Sequence, residues 1–297
     1  CSAACGVVAE VRDGRAIKLE GNVEHPLNRG ALCARGQAAL QGLYNPDRYR
    51  TPMIRRDGRL VPATWDEALT LVRQRIAQVR GQNGGRSVHF VSQHESGSFA
   101  AFVDQWMQAA GFGQHYAFDP EADLAARAAN QLEYGTMWPA LDFAAARLVV
   151  SIGADFLDGW GASVPQQLSF ADARAKLVAA PRFVYVGARR SLTGLNADEW
   201  LACRPGSELA IANALYSALG GAGNTTIAAA AAASGVSEAA LQRLADDLKG
   251  TTPSLVLGGV GTPDAHLVAQ AAARINKAAG NVGVTVKPAE GITSFAS

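Results

Sequence analysis

The sequence RLVVSIGAD at positions 147–155 is the segment that decides the fold. It contains a run of apolar and β-branched side chains, which is typical of a strand buried on both faces of a sheet. A glycine follows, so we expect the strand to end in a tight turn. The same pattern occurs in FVYVG at 183–187 and in LVLGG at 255–259. These strands predict a mainly parallel sheet with close-approach turns at its carboxyl edge.

Helical patterns lie between and around these strands. Apolar residues recur with a period of about 3.6 in the segments 120–132, 166–177, 208–219, 238–248 and 266–279. Strands that alternate with helices indicate an α/β fold, in which helices cover both faces of the sheet. Ligands of such sheets bind beyond the carboxyl ends of the strands. We therefore expect any ligand site of this region at that edge.

A separate strand and two helices are predicted between residues 64 and 110. Thr64 and Glu67 have the spacing of a capping box, which starts a helix. A short strand at 87–92 and a helix at about 99–110 follow. The apolar face of the first helix comprises Trp65, Ala68, Leu69, Val72, Ile76 and Val79.

The first 60 residues predict β-hairpins. Asp13-Gly14 is a hairpin turn signal between strands at 7–11 and 16–19, and Asp57-Gly58 marks a second small hairpin. A short helix is expected at 38–43. Taken together, the patterns divide the chain into three units. These are a β-rich domain at 1–52, a first α/β unit at 53–140, and a second at 141–297 that returns to the first near its end.

Composition excludes several classes of function. The chain has 297 residues and a net charge of +1, so its charge gives no case for binding nucleic acid. No run of about 18 apolar residues occurs, so no segment is predicted to span a bilayer. Neither a G-x-S-x-G elbow nor a Walker loop is present. The five histidines show no close metal spacing apart from His89 and His94, and we expect no second active site from them.

The cysteines are the most informative chemical feature. Cys1 and Cys5 are followed by 27 residues and then by Cys33, whereas Cys203 lies far away and is expected to be a buried structural thiol. Thiolates in turns bind iron–sulfur clusters, because soft sulfur suits iron and backbone amides hydrogen-bond the cluster sulfurs. The spacing alone also fits unrelated buried thiols. An N-terminal cysteine is in addition what a processed bacterial lipoprotein shows, which would make Cys1 a site of lipid attachment.

The residues around these cysteines resemble a known family. CGVV at 5–8, VRDGR at 11–15, HPLNRG at 25–30, LCARGQ at 32–37 and LYNPDR at 43–48 closely resemble the iron–sulfur domain that opens molybdopterin (bis-MGD) oxidoreductases, the complex iron–sulfur molybdoenzyme family. In that family the pattern C-x2-C-x3-C-x27-C holds a [4Fe–4S] cluster. Cys1, Cys5 and Cys33 match its second, third and fourth cysteines. The resemblance implies a [4Fe–4S] cluster if an upstream cysteine exists, and otherwise a [3Fe–4S] cluster or none.

Further site residues follow from the resemblance. Arg35 matches a basic residue that lies between cluster and pterin. The Arg204-Pro205-Gly206 turn resembles the segment that meets the pterin guanosine, so Arg204 and Gly206 are candidate cofactor-binding residues. An ordinary helix N-terminus is the alternative for that turn. TWDEAL at 64–69 resembles a helix start whose role is structural, with a cap and a buried Trp65.

The expected metal-ligand region departs from the family pattern. Catalytic members bind molybdenum or tungsten through Cys, selenocysteine, Ser or Asp in a region that corresponds to about 113–123. That region contains no Cys or Ser here. Asp119 is a candidate oxygen ligand and so is Asp123, although aspartates at a helix start are usually caps. We therefore do not expect molybdopterin to be bound.

The resemblance covers nearly all 297 residues, but only the N-terminal part of the family architecture. The chain is most similar to the molybdenum-lacking large subunits of alternative complex III and of the periplasmic quinone reductase complex. This implies an electron-transfer or scaffold subunit, or a fragment of one, in a membrane-associated quinone-linked respiratory complex. The alternatives are the N-terminal part of a catalytic molybdenum or tungsten enzyme and a cofactor-free structural subunit.

Partners and location are implied by the same resemblance. The expected partners are a cytochrome c and two further chains, namely a ferredoxin-like iron–sulfur subunit plus a quinone-binding membrane subunit. The expected location is the periplasmic face of a bacterial membrane after export, with a lipid anchor at Cys1 as a further expectation.

Overall fold

A computed structural model of the protein describes residues 5–93, 98–118, 123–176 and 178–292. The strands are β1 (Val7–Arg12), β2 (Arg15–Gly21), β3 (Met53–Arg56), β4 (Arg59–Pro62), β5 (Phe90–Ser92), β6 (His115–Ala117), β7 (Trp138–Leu141), β8 (Leu148–Ile152), β9 (Arg182–Gly187), β10 (Glu199–Ala202), β11 (Ser254–Gly258) and β12 (Val286–Ile292). The helices are α1 (Ala34–Leu43), α2 (Trp65–Asn83), α3 (Ser98–Ala109), α4 (Leu124–Tyr134), α5 (Ser163–Arg174), α6 (Leu192–Leu195), α7 (Glu208–Ala218), α8 (Ile227–Ser234), α9 (Glu238–Gly250) and α10 (Ala265–Ala278).

A parallel sheet forms the centre of the second half of the chain. Its order is β10-β9-β8-β11, and each neighbouring pair is parallel. The chain winds from β8 through β9 to β10, then crosses to the other side of β8 to form β11. The direction of winding therefore reverses between β8 and β11. The predicted α/β fold with a mainly parallel sheet, behind a small β-rich N-terminal region, is confirmed.

Successive side chains of the central strands pack into two separate hydrophobic cores, one on each face of the sheet. Every residue of β8 and of β11 is buried. In β8, Leu148, Val150 and Ile152 pack into one core with α7 and α9, whereas Val149 points into the other. Successive strand residues face opposite sides of a sheet, so a strand covered on both faces is apolar throughout. Full burial of each such side chain contributes about 2 kcal/mol.

The second core is dominated by phenylalanines. Its phenylalanines are Phe143, Phe156, Phe170 and Phe183, whose buried rings contact one another with centroid distances between 4.9 and 5.7 Å. The ring pairs are tilted or edge-to-face, the arrangements that aromatic quadrupoles favour. The rings bind β8 and β9 to α5 and to the turn after β8.

Two buried asparagines close the outer edge of β11. Asn276 accepts a hydrogen bond from the Val256 amide at 2.9 Å and donates one to the Val256 carbonyl at 2.7 Å. Asn281 accepts from the Ser254 amide at 3.0 Å and donates to the Asn276 side chain at 3.0 Å. An edge strand otherwise presents unpaired backbone groups. The asparagines therefore end the sheet at β11.

The predicted hairpins are both present. β1 pairs with β2 around Asp13 and Gly14, and β3 pairs with β4 around Asp57 and Gly58. All four turn residues have φ between 49° and 78°, the left-handed region that favours Asp-Gly turns. Helix α1 begins at Ala34, four residues before the predicted start.

The capping box of α2 is confirmed, but the expected burial of Trp65 is wrong for the described chain. The Glu67 amide donates to Thr64 Oγ1 at 3.2 Å, and Glu67 Oε2 accepts from the Thr64 amide at 2.9 Å. Trp65 is nevertheless 69% exposed, and Leu69 and Val72 are also exposed. The apolar pattern thus predicted the helix correctly, but it did not predict that part of this apolar face is exposed. Within the described residues, no helix is long and apolar enough to cross a bilayer.

Elements without a strong pattern were not predicted. The alanine run of α8 carries no alternation of polar and apolar residues, and β7, β10 and β12 are short or interrupted. β12 pairs antiparallel with β7, with Val286 opposite Leu141. The division into units at 1–52, 53–140 and 141–297 stays a prediction.

A buried carboxylate ties α4 to α10. The Glu133 side chain is 10% exposed and accepts hydrogen bonds from Gln270, Arg274 and Lys277 at 2.7–3.0 Å. Burial alone would raise the pKa of Glu133. The bonds from Lys277, Arg274 and Gln270 outweigh it and hold the pKa below its ordinary value of 4.5.

We predict that Glu133→Gln lowers the free energy of unfolding at pH 7 by about 2 kcal/mol, because two charge-assisted bonds are lost. A lowered pKa in the folded state means that the carboxylate stabilises the fold above its ordinary pKa. This contribution is lost as pH falls below about 4.5 towards the lower folded value. Denaturant unfolding at pH 7 and pH 3 should therefore show a gap between variant and wild type that narrows in acid. The exposed Glu24→Gln is the matched control, and an equal gap at both pH values would contradict the prediction.

Candidate functional site

One buried side chain joins the two segments that carry Cys5 and Cys33. Asn28 is fully buried. Its Oδ1 accepts a hydrogen bond from the Gly6 amide at 2.8 Å, and its Nδ2 donates to the carbonyls of Gly6 at 3.0 Å and Ala31 at 2.8 Å. The residue after Cys5 is thereby tied to the loop that leads into Cys33. The amide satisfies backbone groups that would otherwise be buried without partners.

Glycines allow this close approach. A Cβ at Gly6 would lie 2.6 Å from a ring carbon of His25, and a Cβ at Gly21 would lie 2.4 Å from the carbonyl carbon of Gly30. Real side chains do not tolerate such distances, so only glycine fits at these two points.

Cys5 and Cys33 are the thiols of the two segments that Asn28 joins. Cys5 and Cys33 are both half-buried and not in a disulfide. Burial first, and then the negative charge of a Cys33 thiolate, raise the pKa of Cys5, so the two groups are within electrostatic range. Cys33 is the N-cap residue of α1, where helix amides and the positive end of the helix dipole favour an anionic group.

This donor set fits one side of an iron–sulfur cluster. The two joined segments carry one thiol each, and a metal would deprotonate Cys5 on binding, since coordination overrides a raised pKa. Within residues 5–93, 98–118, 123–176 and 178–292, His, Cys, Asp and Glu do not form a metal-binding group of three or more. Cys1 lies outside the described residues. A complete ligand set therefore needs Cys1 or another residue beyond those described.

Arg35 and the Arg204 turn are placed differently. Arg35 is exposed in the first turn of α1, two residues after Cys33. Arg204 Nη1 donates to the Ala232 and Ala233 carbonyls at 3.0 and 3.2 Å, at the C-terminal end of α8. A cation there satisfies helix carbonyls, which gives Arg204 a structural role.

Gly206 and Cys203, in and next to this turn, also have structural environments. Gly206 has a φ of 82°, which the turn before α7 requires. Cys203 is buried as predicted, and burial followed by the charge of Glu208 raises its pKa to about 11. The cofactor-binding roles of Arg35, Arg204 and Gly206 stay predictions, since neither the fold nor the contacts test them.

A cavity of about 440 Å³ opens where the direction of winding reverses. It lies between the turn after β8, at 153–160, and the turn after β11, at 259–261, with the start of α4 on a third side. The crevice at such a reversal is where open α/β sheets bind ligands. Sequence reasoning predicted the sheet edge, but only the strand order locates the cavity.

The wall of the cavity fits a neutral heterocycle better than a phosphate. The indole N–H of Trp160 is buried and has no hydrogen-bond partner among the described residues. Asp123, Asp155 and Asp158 line the cavity, whereas its described lining contains no Lys or Arg. An unpaired buried donor favours a ligand acceptor, because leaving it unpaired costs about 1–3 kcal/mol. The carboxylates repel the phosphates of a pterin dinucleotide.

Asp155 is held in place by its neighbours. It accepts from Arg189 at 3.0 Å and from the hydroxyls of Tyr185 and Ser191. Burial, together with the charge of Asp155, raises the pKa of Tyr185 to about 12, so the phenol stays neutral. Asp119, the candidate metal ligand, lies outside the described residues.

A parallel sheet that reverses its winding beside a cavity, behind a small hairpin region that carries Cys5 and Cys33, defines an α/β protein with a β-rich N-terminal domain. The chain belongs to the molybdopterin oxidoreductase family. The family model described as molybdopterin oxidoreductase matches residues 48–284. The model described as molybdopterin oxidoreductase Fe4S4 domain matches residues 1–45.

Relatives of this chain are redox subunits. It is 30% identical over 214 residues to the menaquinone reductase, molybdopterin-binding-like subunit of Nitratidesulfovibrio vulgaris. The aligned region covers 71% of this chain and 30% of that protein. It is 29% identical over 218 residues to the thiosulfate reductase molybdopterin-containing subunit PhsA of Salmonella typhimurium, covering 71% and 27%. The chain thus spans less than a third of the length of these relatives.

A solved structure shows the same fold. Acetylene hydratase from Pelobacter acetylenicus matches with a TM-score of 0.74 over 94% of this chain and 42% of that chain, at 17% identity. The match to the Fe4S4 domain supports an iron–sulfur cluster. The expectation that molybdopterin is not bound is not supported, because the molybdopterin oxidoreductase model covers most of the chain.

We predict that Asn28→Ala strongly reduces the iron content of the protein. The change leaves the buried Gly6 amide without its partner and frees the loop before Cys33, which costs about 2 kcal/mol or more. The measurement is iron per chain after purification without air, together with far-UV circular dichroism. Asn22→Ala is the matched control, because among the described residues the Asn22 side chain accepts a local bond from the Glu24 amide and joins no second segment. Equal iron in both variants would contradict the role assigned to Asn28.

Proposed function

We propose that this chain carries an iron–sulfur cluster and serves electron transfer in a quinone-linked respiratory oxidoreductase. The observation that carries the proposal is the buried Asn28 amide, which ties the residue after Cys5 to the loop that leads into Cys33. The family membership and the Fe4S4 match support it.

The residues of the chain supply binding and orientation. Cys5 and Cys33 would hold the cluster, which when bound supplies one-electron transfer. The N-terminal end of α1 stabilises negative charge on the Cys33 side. Both cysteines are half-buried rather than enclosed, which leaves the site within reach of a partner on the surface. Exposure and amide hydrogen bonds also set the reduction potential of such a centre.

Partner subunits are part of the proposal. The menaquinone reductase and thiosulfate reductase relatives are both named as subunits, which supports assembly into a larger complex. Trp65 on α2 and Phe102 on α3 are 69% and 63% exposed, and apolar exposure of this kind is typical of covered surfaces. The partners that we propose are a cytochrome c, together with a ferredoxin-like iron–sulfur subunit plus a quinone-binding membrane subunit.

The proposed location is the periplasmic face of a bacterial membrane after export, with Cys1 either a cluster ligand or a lipid attachment site. Mass spectrometry of the N-terminal peptide of the native protein separates the two roles of Cys1. A diacylglyceryl mass on Cys1 would remove it from the ligand set.

A second candidate function is the N-terminal part of a catalytic molybdenum or tungsten enzyme. The cavity at the reversal of winding and the unpaired Trp160 indole N–H favour it. The three carboxylates in the wall count against a phosphate-bearing ligand there. Elemental analysis of the native complex for both metals distinguishes this candidate from the first.

We predict that Cys5→Ser and Cys33→Ser each abolish the cluster signal, whereas Cys203→Ser leaves it unchanged. A serine oxygen is a poor ligand for iron in such clusters, and Cys203 is buried beside Glu208, far from the hairpin domain in the chain. The measurements are iron and acid-labile sulfide per chain and low-temperature paramagnetic resonance of the reduced protein, prepared without air.

The controls make the result decisive. Each of the three variants removes one thiol. An effect of thiol loss in general would therefore lower the cluster signal equally in all three. Wild-type protein without iron, or a signal that survives both Cys5→Ser and Cys33→Ser, would overturn the proposed function.

A further inference from the structure

Ser92, His115 and Asp104 form a continuous hydrogen-bonded chain away from the cysteines. The Ser92 hydroxyl oxygen lies 2.9 Å from His115 Nε2. On the other side of the ring, His115 Nδ1 lies 2.8 Å from Asp104 Oδ1. A hydroxyl, an imidazole and a carboxylate in this order are the components of an activated serine nucleophile.

The fold builds this arrangement from three elements. β5 and β6 are parallel, with Phe90 opposite His115 and Ser92 opposite Ala117. Residues two apart share a face of a strand, so Ser92 and His115 lie on the same side of the pair. Helix α3 brings Asp104 to that side. The ring of Phe90 contacts the imidazole edge-to-face at 5.3 Å and limits its rotation.

The imidazole of this chain is buried, whereas the carboxylate is partly exposed. The side chain of His115 is 9% exposed, while that of Asp104 is 38% exposed. The carboxylate accepts the proton on Nδ1, which leaves Nε2 with a lone pair directed at the Ser92 hydroxyl. That hydroxyl lies 2.8 Å from the Gln93 carbonyl as well, so its hydrogen has two acceptors and rotates between them. Rotation towards Nε2 gives the geometry of general-base activation.

We propose that Ser92 is a nucleophile towards small apolar carboxylic esters, with His115 as its general base and Asp104 as a positioning residue. Phe118 supplies the argument for the substrate class, because it links Ser92 to an apolar surface. Its amide donates to the Ser92 carbonyl at 2.8 Å, and Phe118, unlike Ser92, lines the cavity of about 440 Å³ at the sheet edge. The 67% exposed ring of Phe118 is an apolar surface for an acyl or aryl group, and the carboxylates of the cavity disfavour anionic esters.

The reaction balances with water as the only co-reactant. Ser92 Oγ forms a bond to the ester carbonyl carbon while His115 Nε2 takes the hydroxyl proton. The carbon–oxygen bond to the alcohol breaks, and the alcohol leaves with that proton. Water then attacks the acyl group on Ser92, with His115 again as base, and releases the carboxylic acid. No group is oxidised or reduced.

The test is covalent labelling of the whole chain with a fluorophosphonate probe, which forms an Oγ–phosphorus bond and releases fluoride. We expect about one label per chain, mapped by peptide mass spectrometry to Ser92. Ser92→Ala should abolish the label. His115→Asn should slow labelling roughly 100-fold or more, because the general base is lost.

Controls separate reactivity from structure. Ser237→Ala removes an exposed serine at the start of α9, which has no imidazole partner among the described residues, and should label like wild type. Asp104→Asn should slow labelling, and Asp104→Glu should restore part of the rate if the carboxylate positions the imidazole. Hydrolysis of p-nitrophenyl acetate should follow the same order. No label on folded wild-type protein, or a label on another serine, would overturn the proposal whether or not the variants fold.

Discussion

The parallel pairing of β8 with β9 and β11 is the constraint on which the rest of the structure depends. A parallel sheet is stable only when both faces are covered, so the helices and the phenylalanine core must lie on opposite sides of these strands. Parallel strands also deliver all their following turns to one edge. The reversal of winding between β8 and β11 then separates two of those turns and leaves a cavity between them. Asn276 and Asn281 end the sheet at β11 by satisfying its outer backbone groups.

The thiol pair depends on a different and much smaller interaction. Cys5 and Cys33 lie 28 positions apart, and the buried amide of Asn28 bridges the two segments through hydrogen bonds to Gly6 and Ala31. A carboxylate at this position would lose the Nδ2 donors, and an apolar residue would leave the Gly6 amide buried and unpaired. The hairpin β1–β2 therefore separates the two segments along the chain, and Asn28 fixes the position of the Cys5 segment relative to the loop before Cys33. The amino end of α1 then adds a favourable dipole at Cys33.

The family membership has to be considered together with the residues that line the cavity. The chain belongs to the molybdopterin oxidoreductase family, yet carboxylates line the cavity at its sheet edge, and the Trp160 indole N–H there has no partner among the described residues. The exposed side chains of Trp65 and Phe102 lie on helices outside the central sheet. Exposed apolar side chains of this size are typical of surfaces that a partner covers, and the proposed assembly uses them in this way.

Periodicity and turn chemistry in the sequence by themselves determined the buried strands, both Asp-Gly hairpins, the capping box of α2 and the candidate cysteines. Each of these is a local signal, set by the residues that form it. The sequence did not predict α8, the side strands β7 and β12, or the exposure of Trp65, because short elements and burial depend on what lies opposite. Nor did it indicate Asn28 or the Ser92–His115–Asp104 chain, whose members lie 11 to 23 residues apart without a motif. The strand order alone decided which turns meet at the cavity, because contacts between distant segments arise only when the sheet has assembled.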